Sequence, residues 1–298
     1  MIENDSHLIM SHPSPRFVDR NRRRGFSLVE LLVVIATLAL FIALVIHAAT
    51  AVRGSASRTS EMASARSLMT AWLSYATDHR GVLLPGYAEG LRARDPAGEW
   101  LEVSTEEVAI RRWPLRLAPY LGHDFAALLS GEAREALDGL ADDPTSDRLY
   151  AVSVAPSFGL NSVFVGGDDN YGGQNELFEQ TFGPFYATRL STVRHPDLLN
   201  VFVTSRNTSS DSDAIFEGFF RVLPPAWTTP LWSAEHDPES PTSSGFVSPR
   251  HQDAGEDRAI VATVDGGVAT HTIDDLRDMR RWSDLATQPD WRMEPVGP

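Results

Sequence analysis

Arg24-Gly25-Phe26-Ser27-Leu28-Val29-Glu30-Leu31-Leu32-Val33-Val34-Ile35-Ala36 decides how the rest of this 298-residue chain is read. The stretch starts at the end of a basic run, Arg22–Arg24, passes through a glycine and enters an apolar segment. From Leu31 to Val52 there is no Asp, Glu, Lys or Arg. A helix over 26–49 would be about 36 Å long at ~1.5 Å per residue, against a bilayer hydrocarbon core of about 30 Å. The segment is long enough to span a membrane, and the arginines before it favour a cytoplasmic N-terminus. Glu30 is the anomaly. A carboxylate at that depth costs roughly 2–3 kcal/mol on insertion scales, so it needs a cationic partner.

The composition outside this segment limits the options. All 26 basic residues are arginine; 40 acidic residues bring the net charge to -14. That balance argues against a nucleic-acid partner, which calls for clustered positive charge. With no cysteine, disulfides, thiolate metal sites and cysteine nucleophiles are all excluded. An apolar share of 42% is enough for a packed core.

Three readings of the N-terminus compete. A secretory signal would use Ala49-Thr50-Ala51 as its cleavage site, but its apolar region should be about 7–15 residues long. A plain membrane anchor accounts for the length and the arginines and leaves Glu30 unexplained. The third reading rests on a resemblance: Arg24–Ala36 is similar to the leader and first helix of type IV prepilins and type II secretion pseudopilins. The resemblance implies that a prepilin peptidase cuts between Gly25 and Phe26 and that Phe26 is then N-methylated. It also implies that Glu30 pairs with the new amino terminus of a neighbouring subunit, setting assembly and register. The implied partners are the peptidase, other pilin or pseudopilin subunits and the inner membrane, with the globular part periplasmic.

Beyond the apolar segment, Met62, Leu68, Met69, Trp72, Leu73 and Ala76 recur at helical spacing. Arg58, Glu61, Arg66 and Asp78 are assigned to the opposite, polar face. No proline interrupts 26–84, so one helix is expected from Phe26 to about His79, stopped at Arg80-Gly81 before Leu84-Pro85-Gly86. His47 reads as an interfacial residue where the helix leaves the bilayer. Tyr75–Pro85 has a weaker likeness to the helix end of pseudopilins. The resulting division is a leader at 1–25, a transmembrane half-helix at 26–52, an amphipathic half-helix at 53–80 and a globular α+β domain at 81–298.

Within that domain, two helical turns are expected in Arg112–Gly122, an amphipathic helix in Phe125–Leu140 and a short final helix in Leu276–Ala286. Strands are expected at Leu149–Ala155, Ser162–Val165, Leu199–Thr204, Ala214–Val222, Ala259–Val264 and Val268–Thr272. Ala155–Gly167, Val193–Ser205 and Arg250–Val268 resemble, in order, segments of the large prepilin-like proteins of Planctomycetes. Here Gly267 replaces the histidine that follows Asp-Gly in those proteins.

Few residues suggest chemistry. His251, Asp265 and His271 can be imagined as a metal or acid–base set, though Asp265-Gly266-Gly267 suits a hairpin turn better. Ser153 and Ser157 lack a nucleophile-elbow context. No cofactor motif is found. The one candidate ligand is calcium, at Asp168, Asp169 and Asn170 in a glycine-rich loop. Such oxygen clusters suit hard cations, and the resemblance to calcium-binding pseudopilins adds to this, yet the same residues also make ordinary turns. The fold expected is α+β and pilin-like, with a long N-terminal helix packed on an antiparallel sheet with long loops. The function expected is that of a structural filament subunit rather than an enzyme. The alternative is a membrane-tethered periplasmic enzyme or ligand-binding domain.

Overall fold

The computed structural model describes residues 26–298 except 96, 102–106, 126–127, 130–133, 135–145, 172–175, 209–214, 225–244, 254 and 297–298. The chain divides into two units, 1–51 and 52–298. Helix α1, Leu28–Asp78, supplies the described part of the first unit and opens the second. In the first unit every described side chain from Phe26 to Thr50 is exposed. The helix is long and apolar enough there to cross a membrane by length and composition.

The second unit is α+β. Strands β1 (Phe158–Leu160), β2 (Asn200–Thr204), β5 (His251–Asp253), β6 (Glu256–Thr263) and β7 (Val268–His271) form one sheet, ordered β1-β2-β6-β5 with β7 also on β6. All its pairings are antiparallel. A ribbon of β3 (Arg206–Thr208) and β4 (Ile215–Glu217) stands apart from it. β2 and the end of β6 are buried apolar runs, as expected for strands covered on both faces. One cover is α1. Its Ala65, Leu68, Met69, Trp72 and Ala76 share a core with Phe158, Val201, Phe202, Ile260 and Ala262. The other side is closed by Phe164, Phe185, Leu276, Met279 and Trp282 against Val203, Ala259 and Val261.

α1 stops where the sequence places its end. Arg80 takes a left-handed φ of 56°, and Gly81 N–H donates to the Ala76 carbonyl at 2.7 Å while Arg80 N–H reaches Thr77. This pair of bonds closes the last turn as a Schellman cap.

Several expectations are corrected. Ser146–Val154 is a helix, not a strand over Leu149–Ala155. It packs beside the short helices Glu107–Arg111 and Trp113–Leu117, with Arg112 donating to Ser153 Oγ at 3.0 Å and lying 5.0 Å from the Tyr150 ring. Ser162–Val165 is a turn, and the strand is the segment just before it, β1. Leu276–Ala286 breaks into two 3-10 turns, Asp275–Arg277 and Met279–Arg281, because Asp278 is extended and caps the second. Glu61 is not on the exposed face: it is 5% exposed and occupies the buried stripe that continues with Ala65, Leu68 and Trp72. The helix expected at Phe125–Leu140 lies mostly outside the described residues.

Candidate functional site

The first turn of α1 holds one of the N-terminal candidates, Glu30. Ser27 is the N-cap: Glu30 N–H donates to Ser27 Oγ at 3.1 Å, and Ser27 N–H donates to Glu30 Oε2 at 2.8 Å. This reciprocal capping box satisfies two backbone donors that a helix start leaves free. It also places the Glu30 carboxylate at the positive end of the helix, against the residue following Phe26. Ser27-Leu-Val-Glu30 before an apolar run is a legible capping signature, and sequence reasoning passed over Ser27 while attending to Glu30. Phe26 is exposed. Gly25 lies outside the described residues.

Asp168, Asp169 and Asn170 have separate roles. Asp168 is buried and accepts from Arg221 Nε at 2.7 Å and Nη2 at 2.8 Å, from Ser162 Oγ at 2.6 Å and from Asn170 N–H at 3.1 Å. Asp169 accepts from Glu89 N–H at 2.8 Å, and the Asn170 side chain is exposed. A guanidinium thus occupies the bidentate face of the carboxylate that a hard cation would need. Gly166, at φ 80°, lets this loop lie on the Leu84 carbonyl; any Cβ there would collide with that backbone.

His251, Asp265 and His271 have different partners. His251 faces Glu61 at 3.0 Å. Asp265 closes the β6–β7 turn, accepting from Thr263 Oγ1 at 2.6 Å and Gly267 N–H at 2.9 Å, and these bonds hold its carboxyl below the usual range. Burial and the nearby Arg281 lower the pKa of His271. Among the described residues no three His, Asp or Glu side chains converge as a metal site would require. Asn161, from the second resemblance, is buried and ties β1 to the rest by donating to the carbonyls of Asn200 at 3.0 Å and Trp282 at 2.9 Å.

The combination defines a class: an α+β domain carried on a long helix whose N-terminal part is apolar, exposed and capped by Ser27 and Glu30, consistent with a membrane-anchored protein. Residues 20–46 match the family described as the prokaryotic N-terminal methylation motif, which supports a prepilin-type N-terminus in this chain. No curated protein and no solved structure matches the chain.

Proposed function

We propose that this chain is a structural subunit of a type IV pilus-like or type II secretion filament. Prepilin peptidase cuts it between Gly25 and Phe26, and Phe26 is N-methylated. The inner membrane holds the helix over about 26–52, with the domain on the periplasmic side. Assembly buries the apolar half of α1 among its neighbours. There the Glu30 carboxylate meets the amino group of the next subunit, which offsets the cost of keeping a charge in hydrocarbon. The observation that carries this reading is the match over residues 20–46, with Glu30 held in the first turn of an otherwise uncharged exposed helix segment.

The test is the mass of the N-terminal peptide from membranes of a peptidase-competent host. The filament reading expects a peptide beginning at methylated Phe26. It also expects Gly25→Val to accumulate as a precursor that keeps the leader, because a branched side chain obstructs the protease subsite. An intact N-terminus in the wild type, or normal maturation of Gly25→Val, overturns it.

A further inference from the structure

From Val52 to Ser57 every side chain of α1 is exposed, and the first residues to meet the sheet are Arg58 and Glu61. The contact they make is polar. Glu61 accepts from Arg250 Nη2 at 2.8 Å and Nε at 3.0 Å, and its Oε2 lies 3.0 Å from His251 Nε2. Arg58 pairs with Asp253 at 2.9 Å. Immediately beyond, the contact becomes apolar through Met62, Ala65, Leu68 and Trp72.

Arg250 is itself fixed from three other directions. It donates to Glu217 Oε2 at 2.7 Å from β4, to the Ser205 carbonyl at 3.2 Å and to the Ser157 carbonyl at 3.1 Å. Ser248 Oγ also donates to Glu217 Oε2, at 2.6 Å, and holds that second carboxylate in place. The cationic arm is therefore positioned by the sheet and the ribbon whether or not the helix is present. Glu61 is the one carboxylate that the helix brings to it. An apolar side chain at 61 would continue the buried stripe but offer Arg250 and His251 no charge partner. A carboxylate instead makes the grip conditional on charge and on one register, since a shift of a single turn would leave Glu61 and Arg250 without each other.

We propose that Glu61, Arg250 and His251 form a charge latch, extended by Arg58 and Asp253, that clamps the start of the soluble half of α1 onto β5 and can open without unfolding the domain. With the latch closed, the helix leaves the domain at Ser57. With it open, the exit point moves to about Met62, where apolar packing begins. The two states differ by about one helical turn of freed helix, so the latch sets where α1 leaves the domain. This holds for a filament subunit and for a tethered domain alike.

The test is hydrogen–deuterium exchange of the full-length protein in nonionic detergent, read by mass spectrometry. Wild type is compared with Glu61→Gln, which keeps shape and removes charge, and with Glu61→Leu, which restores the apolar stripe. Both variants should raise exchange over residues 55–63 by more than tenfold, and by clearly more than over 68–78 of α1 and 256–263 of β6. Arg250→Met should reproduce that pattern. Unchanged exchange over 55–63 in Glu61→Gln overturns the latch. So does an equal rise across α1 and β6, because the cluster would then be an inseparable part of one core. Wild-type protection in Glu61→Leu also overturns it, since burial rather than charge would then be the grip.

Discussion

Acid should reveal how strongly Glu61 is held. Burial by itself would raise its pKa, but the hydrogen bond from His251 and the charge and hydrogen bonds of Arg250 outweigh this and take it from the usual 4.5 to about 2. Between those two values the unfolded chain binds a proton that the folded one does not. The stabilisation from Glu61 is therefore complete above about pH 4.5 and is lost as pH falls through about 2. The difference in pKa corresponds to about 3 kcal/mol at neutral pH, about 1.4 kcal/mol at pH 3 and under about 0.5 kcal/mol at pH 2. Glu61→Gln removes this titration and leaves the other carboxylates of the chain in place. The assay is urea unfolding of both proteins in detergent at a series of pH values, followed by the fluorescence of the buried Trp72, Trp113 and Trp282. The stability gap between wild type and variant should shrink by about 3 kcal/mol from pH 6 to pH 2, equivalent to about 6–12 °C in Tm for a domain of this size. A gap that stays constant over that range, or grows as the pH falls, would refute the assignment of a depressed, charge-held Glu61.

Three further outcomes follow from the same geometry. Asp168→Ala removes the bidentate carboxylate partner of the buried Arg221 guanidinium and should destabilise the domain by about 3–5 kcal/mol by urea denaturation; in the wild type, calcium or a chelator should leave Tm unchanged, because Arg221 already holds the loop. Trp72→Ala removes the largest α1 side chain from the core shared with the sheet and should cost about 3–5 kcal/mol, and a loss under about 1 kcal/mol would show that α1 does not cover the sheet. Glu30→Ala should leave membrane levels and cleavage intact while sheared filament yield falls at least tenfold, and equal recovery of variant and wild type in the sheared fraction would sink the proposed pairing with a neighbour.

What was legible in the sequence is what contiguous residues decide. The apolar span and the charge of Glu30 at its start lie within a few turns of one another, and the physics of insertion and capping acts over that distance. The stop at Arg80-Gly81 and the strands β2, β6 and β7 follow from local dihedral preference and runs of β-branched and apolar residues. Local pattern misjudged Ser146–Val154, whose valines suit a strand, because the Arg112 clamp and the neighbouring short helices override a weak propensity. It also misplaced Glu61, which looks like a solvent-facing charge until a partner is known. That partner, Arg250, is 189 residues away, just as Arg221 is 53 residues from Asp168. Whether a carboxylate is exposed, binds a metal or is buried against a guanidinium depends on which distant cation the fold brings to it. Burial of charge is tolerated only when that cation arrives with the right geometry, so the pairing belongs to the tertiary structure alone.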